Sequence, residues 1–178
     1  MGAAIDLGIL EDKLKSSKIK LVAAIHAETS TGVINPISEV GKLCKKYGAK
    51  FMVDCVTSFA GTEIKFDEWN IDYAYSGTQK CLAAPPGLSP VAISENALNY
   101  IRNRKSPPSS WYLDLSAISS YWGKEHVAHQ TTPVNLVYAL REALTITFEE
   151  GIENKFQRHE LMSKALKSGL KSLCLELP

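Results

Sequence analysis

No stretch of the 178-residue sequence is long and apolar enough to read as a membrane span. Neither sign of charge dominates: 20 Lys and Arg stand against 19 Asp and Glu, a formal net charge of +1. The lysines are dispersed rather than striped, so the chain lacks the electrostatic footprint of a nucleic-acid binder. Cysteine is scarce. Cys44, Cys55, Cys81 and Cys174 form no C-x-x-C pair and no pairs at zinc-ligand spacing, which argues against a structural zinc site or a disulfide framework. Cys44 and Cys55 fall in apolar periodic contexts, where a cysteine acts as a small buried hydrophobe, and a reducing compartment suits that usage. The opening Met1-Gly2-Ala3-Ala4-Ile5-Asp6 has neither the charged nor the apolar region of a signal peptide. It also lacks the Ser or Thr of a myristoylation site. There is no G-x-G-x-x-G and no P-loop, so a nucleotide cradle is unsupported. No repeat or low-complexity tract is visible. His126 and His129 lack a third metal ligand and read as surface or interface histidines.

What is present is an alternation of strand and helix patterns, with enough chain for one domain with a core. The run Leu21-Val22-Ala23-Ala24-Ile25 predicts a strand buried on both faces. Asn35-Pro36 predicts a helix start, with Asn as cap and Pro in the first turn. Ile37, Val40, Cys44 and Tyr47 then recur at helical spacing, and Gly48 marks the stop. Phe51-Met52-Val53 ending on Asp54 reads as a second strand, and Ile71 to Tyr75 as a third. Pro85-Pro86-Gly87 is a turn, Pro90 to Ile93 a fourth strand, and Ser94 a helix cap. Thr132-Pro133 opens a long helix with Val137, Leu140, Leu144 and Phe148 on one face. Gly151 interrupts it, and a further helix carries Ile152, Phe156, Leu166, Leu170 and Leu173. Repeated strand–helix–strand units predict an α/β fold with a largely parallel sheet.

In such sheets ligands sit beyond the carboxyl ends of the strands. Three polar clusters fall there: His26 to Thr31, then Asp54, then Ser76-Gly77-Thr78-Gln79-Lys80. A carboxylate, a lysine and several hydroxyls and amides are the set needed for a cofactor with an aldehyde, a pyridine nitrogen and a phosphate. By spacing alone the plain readings stay open. Lys80 reads as a solvated loop lysine, and Asp54 as a strand-end carboxylate accepting from backbone N–H groups. His26 reads as a hydrogen-bonded structural histidine.

The ordered motifs add a resemblance. Ser76-Gly77-Thr78-Gln79-Lys80 followed by Pro85-Pro86-Gly87 resembles the cofactor-lysine segment of the class V, fold type I, pyridoxal 5'-phosphate (PLP) aminotransferases. His26-Ala27-Glu28-Thr29-Ser30-Thr31-Gly32 resembles H-G-E-S-S-T-G, and Val53-Asp54-Cys55-Val56-Thr57-Ser58 resembles V-D-S-V-A-S, of the alanine–glyoxylate / serine–pyruvate group. Tyr138-Ala139-Leu140-Arg141-Glu142-Ala143-Leu144, after Thr131-Thr132-Pro133, resembles its Y-A-L-R-E-A-L helix.

The resemblance implies a three-layer large domain built on a mostly parallel sheet. It implies transamination from Ala or Ser to glyoxylate or pyruvate, in a homodimer with a shared site. It implies that Lys80 forms the Schiff base with PLP and that Asp54 pairs with the ring nitrogen. Thr29 is implied near the cofactor's phenolic oxygen, Gln79 at the phosphate, and Thr131 at the phosphate of the neighbouring subunit. Residues 1–150 would then be the central and C-terminal part of the large domain, and 151–178 a helix leading towards a small C-terminal domain. Two departures stand out: Ala128 occupies a position where the family often has Tyr, and Ala27 replaces a Gly. The resemblance further implies a longer parent, so the chain is expected to be a fragment with an unpaired sheet edge and bare apolar faces. An inactive remnant of the fold, or a related PLP lyase or desulfurase, are the alternative readings.

Overall fold

Side-chain alternation decides the middle of the sheet. In β2, Lys50–Asp54, Phe51 and Val53 point into the core with no exposed surface, while Lys50, Met52 and Asp54 on the other face stay half-buried. The computed structural model describes residues 2–124 and 126–177. β1, Leu21–Ile25, and β3, Tyr73–Tyr75, flank β2 in parallel. β4, Val91–Ile93, joins β3 antiparallel, giving the order β1-β2-β3-β4. The predicted α/β class with a mostly parallel sheet is therefore what forms.

The first strand differs from its prediction. The run read as buried on both faces lies at the sheet edge, with Leu21 47% and Ile25 42% exposed. Among the described residues it has a neighbouring strand on one side only, and the face carrying Leu21, Ala23 and Ile25 stays open. The apolar run records what a strand would bury, not whether a partner covers it.

Helix α2, Ile37–Tyr47, covers the opposite face of the sheet. Ile37, Val40 and Cys44 are buried there together with Phe51, Val53 and Ile71. Gly48 ends the helix in the left-handed conformation, φ 70°, and returns its N–H to the last-turn carbonyls. Gly41 is required by contact: a Cβ there would lie 1.8 Å from the Trp69 carbonyl oxygen. Asn35 does not cap this helix. Its side chain accepts from the Ile5 N–H and donates to the Ile25 carbonyl, at 2.9 and 2.8 Å, tying the N-terminal segment to the end of β1.

Two helices went unread in the sequence. α1, Leu7–Ser16, is capped by Asp6 accepting from the Ile9 N–H, and packs Leu7, Leu10 and Leu14 on the core. α4, Leu115–Trp122, is capped by Asp114. Between them α3, Glu95–Arg102, starts at Ser94, whose hydroxyl accepts from the Ala97 N–H as expected. α5, Val134–Glu150, and α6, Ile152–Ser172, meet at Gly151. The apolar face expected on α5 is only partly used. Phe148 is exposed, and the buried side chains at this joint are Ala143, Thr147 and Lys155. Leu161 and Leu166 of α6 are exposed too. The hydrophobic core runs from Leu14 to Ala74, so the sheet, α1 and α2 hold most of the apolar contact.

Candidate functional site

Because β1, β2 and β3 run parallel, they end on one edge, where Ile25, Asp54 and Tyr75 stand in register. The ladder continues one residue further. The His26 N–H donates to the Asp54 carbonyl at 2.9 Å, and the Cys55 N–H to the Tyr75 carbonyl at 2.8 Å. The polar clusters that follow the three strands are thereby brought together. The Thr29 and Thr57 hydroxyls meet at 2.6 Å, the Ser76 hydroxyl donates to the Cys55 carbonyl, and the Cys81 thiol to the Thr57 carbonyl.

Asp54 is half-buried, and among the described residues each of its carboxylate oxygens takes one donor. Oδ1 accepts from the Val56 N–H and Oδ2 from the Tyr75 hydroxyl, both at 2.8 Å. The strand-end capping read from sequence is real but engages one oxygen only. A carboxylate has about four acceptor positions, so capacity remains for a further donor. Tyr75 in turn has its phenol pushed up, first by that hydrogen bond to Asp54, then by burial and by the Asp54 charge.

Lys80 lies on a loop tied down by its own backbone. The Thr78 N–H donates to the Leu88 carbonyl, the Thr78 hydroxyl to the Pro85 carbonyl, and the Ser76 N–H to the Pro90 carbonyl. The Ala83 N–H closes the turn onto the Lys80 carbonyl at 2.8 Å. Thr78 is fully buried while the Lys80 and Gln79 side chains are exposed, so the loop is rigid and its amine reachable. Gly77 leaves room for the Gln79 amide: a Cβ there would sit 2.6 Å from Gln79 Oε1.

His26 is a support rather than a reactant. It is buried, its Nδ1 lies 3.0 Å from the Ser58 hydroxyl, and its ring meets Trp69 edge-on. Burial holds its imidazole below the usual range. Thr131 stands apart: it is exposed, before α5, and no described hydrogen bond links it to Thr29, Asp54, Gln79 or Lys80. Ala128 is exposed as well. His129, read as a surface or interface histidine, is buried instead, its ring centroid 4.2 Å from that of Trp111. Tyr75 and Thr57 are candidate site residues that the sequence reading missed. Their signal was register: Tyr75 pairs across the sheet with Asp54, and Thr57 follows it by three residues.

An exposed amine, a carboxylate with spare acceptor capacity, and neutral hydroxyl and amide donors fit PLP by the chemistry of the donor set. Among the described residues no cluster of three or more His, Cys, Asp or Glu side chains is placed to hold a metal ion, and no helix is long and apolar enough to cross a membrane. A groove of about 1440 Å³ lies elsewhere. It is lined by Leu21, Met52, Tyr73 and Tyr100 among others and includes none of Thr29, Asp54, Gln79 or Lys80. The strand-end chemistry, rather than cavity size, marks the site.

Comparison with known proteins bears on the same segments. The family model described as Aminotransferase class-V matches residues 2–175. The chain is 37% identical over 194 aligned positions to (S)-ureidoglycine–glyoxylate transaminase of Bacillus subtilis (strain 168), covering 99% of this chain and 47% of that protein. It is 40% identical over 171 positions to alanine–glyoxylate aminotransferase of Felis catus, covering 94% and 41%. The crystal structure of alanine–glyoxylate aminotransferase from Nostoc sp. matches with a TM-score of 0.95 at 41% identity, covering 99% of this chain and 47% of that one. The chain thus spans less than half the length of these relatives.

Proposed function

The chain belongs to the class-V aminotransferase family, and from that premise we propose that it carries the cofactor-holding edge of a PLP-dependent transaminase acting on a small amino acid and a small 2-oxo acid. The observation that supports this most directly is the convergence of Asp54, Thr29 and the Ser76 to Lys80 loop beyond three parallel strands. Bound there, PLP supplies a carbonyl for the amino group and a protonated ring that draws electrons from the substrate α-carbon.

The protein's own residues do the rest. Lys80 Nζ would hold the cofactor at its carbonyl carbon, and the same amine would carry a proton to and from the substrate α-carbon. Asp54 accepts from the protonated ring nitrogen. The Gln79 amide donates to the phosphate, and Thr29 lies near the phenolic oxygen and the substrate. Thr131, exposed on its own chain, reaches the phosphate of a second copy, which makes the site a property of a homodimer. Residues 1–150 belong to the large domain on this reading, and 151–178 lead out of it. Glyoxylate is the favoured acceptor, because it is named in both curated relatives while their donors differ. Alanine or serine is the proposed donor.

Incubating the purified protein with PLP, reducing with borohydride and mapping the adduct by mass spectrometry tests the assignment. A phosphopyridoxyl group on Lys80 is expected, and its loss in Lys80→Ala. An adduct confined to other lysines, or none, would sink the reading.

A further inference from the structure

Tyr75 closes β3 directly opposite Asp54, and its hydroxyl donates to Asp54 Oδ2 at 2.8 Å while the Val56 N–H takes Oδ1. Both oxygens are therefore held, one by backbone and one by a side chain. Packing does not explain the position of the phenol, since Tyr75 is 37% exposed. Its proton affinity is raised chiefly by that same hydrogen bond, so it stays a donor across the neutral range.

We propose that Tyr75 is a positioning residue: its hydroxyl fixes the Asp54 carboxylate in the rotation that aims an unused acceptor position at the ring nitrogen of PLP. This rests on the assignment of Asp54 to the ring nitrogen made above. The physical reason is that a strand-end aspartate bound only by the Val56 N–H is free to turn its other oxygen to water. The hydroxyl removes that freedom before any cofactor arrives, and preorganisation of this kind acts on affinity and on the ring's protonation together. The role falls to Tyr75 because parallel pairing sets neighbouring registered side chains on the same face of the sheet.

The experiment is a double-mutant cycle on the whole protein with Tyr75→Phe and Asp54→Asn. It reads PLP affinity by titration, the absorption spectrum of the bound cofactor from pH 5.5 to 9.5, and thermal stability without cofactor. Tyr75→Phe is expected to weaken PLP binding about tenfold, the scale of one hydrogen bond to a charged group. It should also shift the pH midpoint of the bound-cofactor spectrum, with little change in stability without cofactor. In the Asp54→Asn background the same change should move neither affinity nor midpoint. A spectrum and affinity unchanged by Tyr75→Phe, or an equal loss in both backgrounds, would overturn the proposal. The borohydride adduct on Lys80 of the unmodified protein separates the two failures. Its presence with an inert Tyr75→Phe rejects the inference alone, and its absence rejects the function and the inference together.

Discussion

His26 shows how one residue ties the site to the core. It follows β1 directly and its imidazole is buried against Ser58 and Trp69. Burial disfavours the charged imidazole and so lowers its proton affinity in the folded state. A folded value below the unfolded one means the stabilisation is fully present above about pH 6.5 and is lost as pH falls from there towards the folded value. Melting temperature measured from pH 7.5 to 5 should therefore drop, and the drop should be shallower in His26→Gln. A variant as steep as the parent would show that another group titrates. This residue was legible in sequence as a structural histidine, because a buried imidazole at the end of an apolar strand is ordinarily hydrogen-bonded. Tyr75 was not. An exposed-looking Tyr at a strand end acquires a role only when pairing sets it against Asp54.

Among the elements, the joint between α5 and α6 is the least expected from the pattern of apolar residues. Lys155 is 5% exposed, and its ammonium donates to the Thr147 hydroxyl at 2.8 Å, which itself donates to the Ala143 carbonyl. On the outer side, the Arg158 guanidinium pairs with both oxygens of Glu150 across the same break at Gly151. Thr147→Val keeps the shape but removes the acceptor from a buried ammonium. It should cost about 1–3 kcal/mol in urea unfolding, whereas Leu166→Gln on the exposed face should stay within about 0.5 kcal/mol. The period of apolar residues had suggested Phe148 as part of the packed face. Periodicity identifies a helix but not which stripe finds a partner, and here a threonine and a lysine occupy the buried positions. Helices α1 and α4 were illegible for a different reason: both are short, and α1 mixes its apolar residues with lysines and acids over much of its length.

Over the whole molecule, apolar burial is uneven. The core gathers residues from Leu14 to Ala74, while Leu21 and Ile25 on β1, Val91 on β4, and Leu161 and Leu166 on α6 are exposed. Local stability should follow the same gradient. Native-state hydrogen exchange should find the slowest amides in β2 and α2, around Phe51, Val53 and Cys44, and the fastest helical amides in α6. Equal protection of α6 and α2 would contradict this picture. The unpaired edge and bare faces expected from the sequence are seen in β1, since residues suited to a fully covered strand are present without their cover.

The sequence by itself determined the α/β class, the strand ends at Asp54 and Tyr75, and the family to which the Ser76 to Lys80 segment belongs. These follow from local pattern: period-two and period-3.6 burial, turn chemistry, and short ordered motifs. Only the tertiary structure decided that the unpaired edge falls at β1, that Asn35 staples Ile5 to Ile25 instead of capping, that His129 is buried, and that Asp54 is held by Tyr75. Each of these depends on a contact between residues remote in sequence, and a local pattern names what a residue can do without naming the neighbour that lets it.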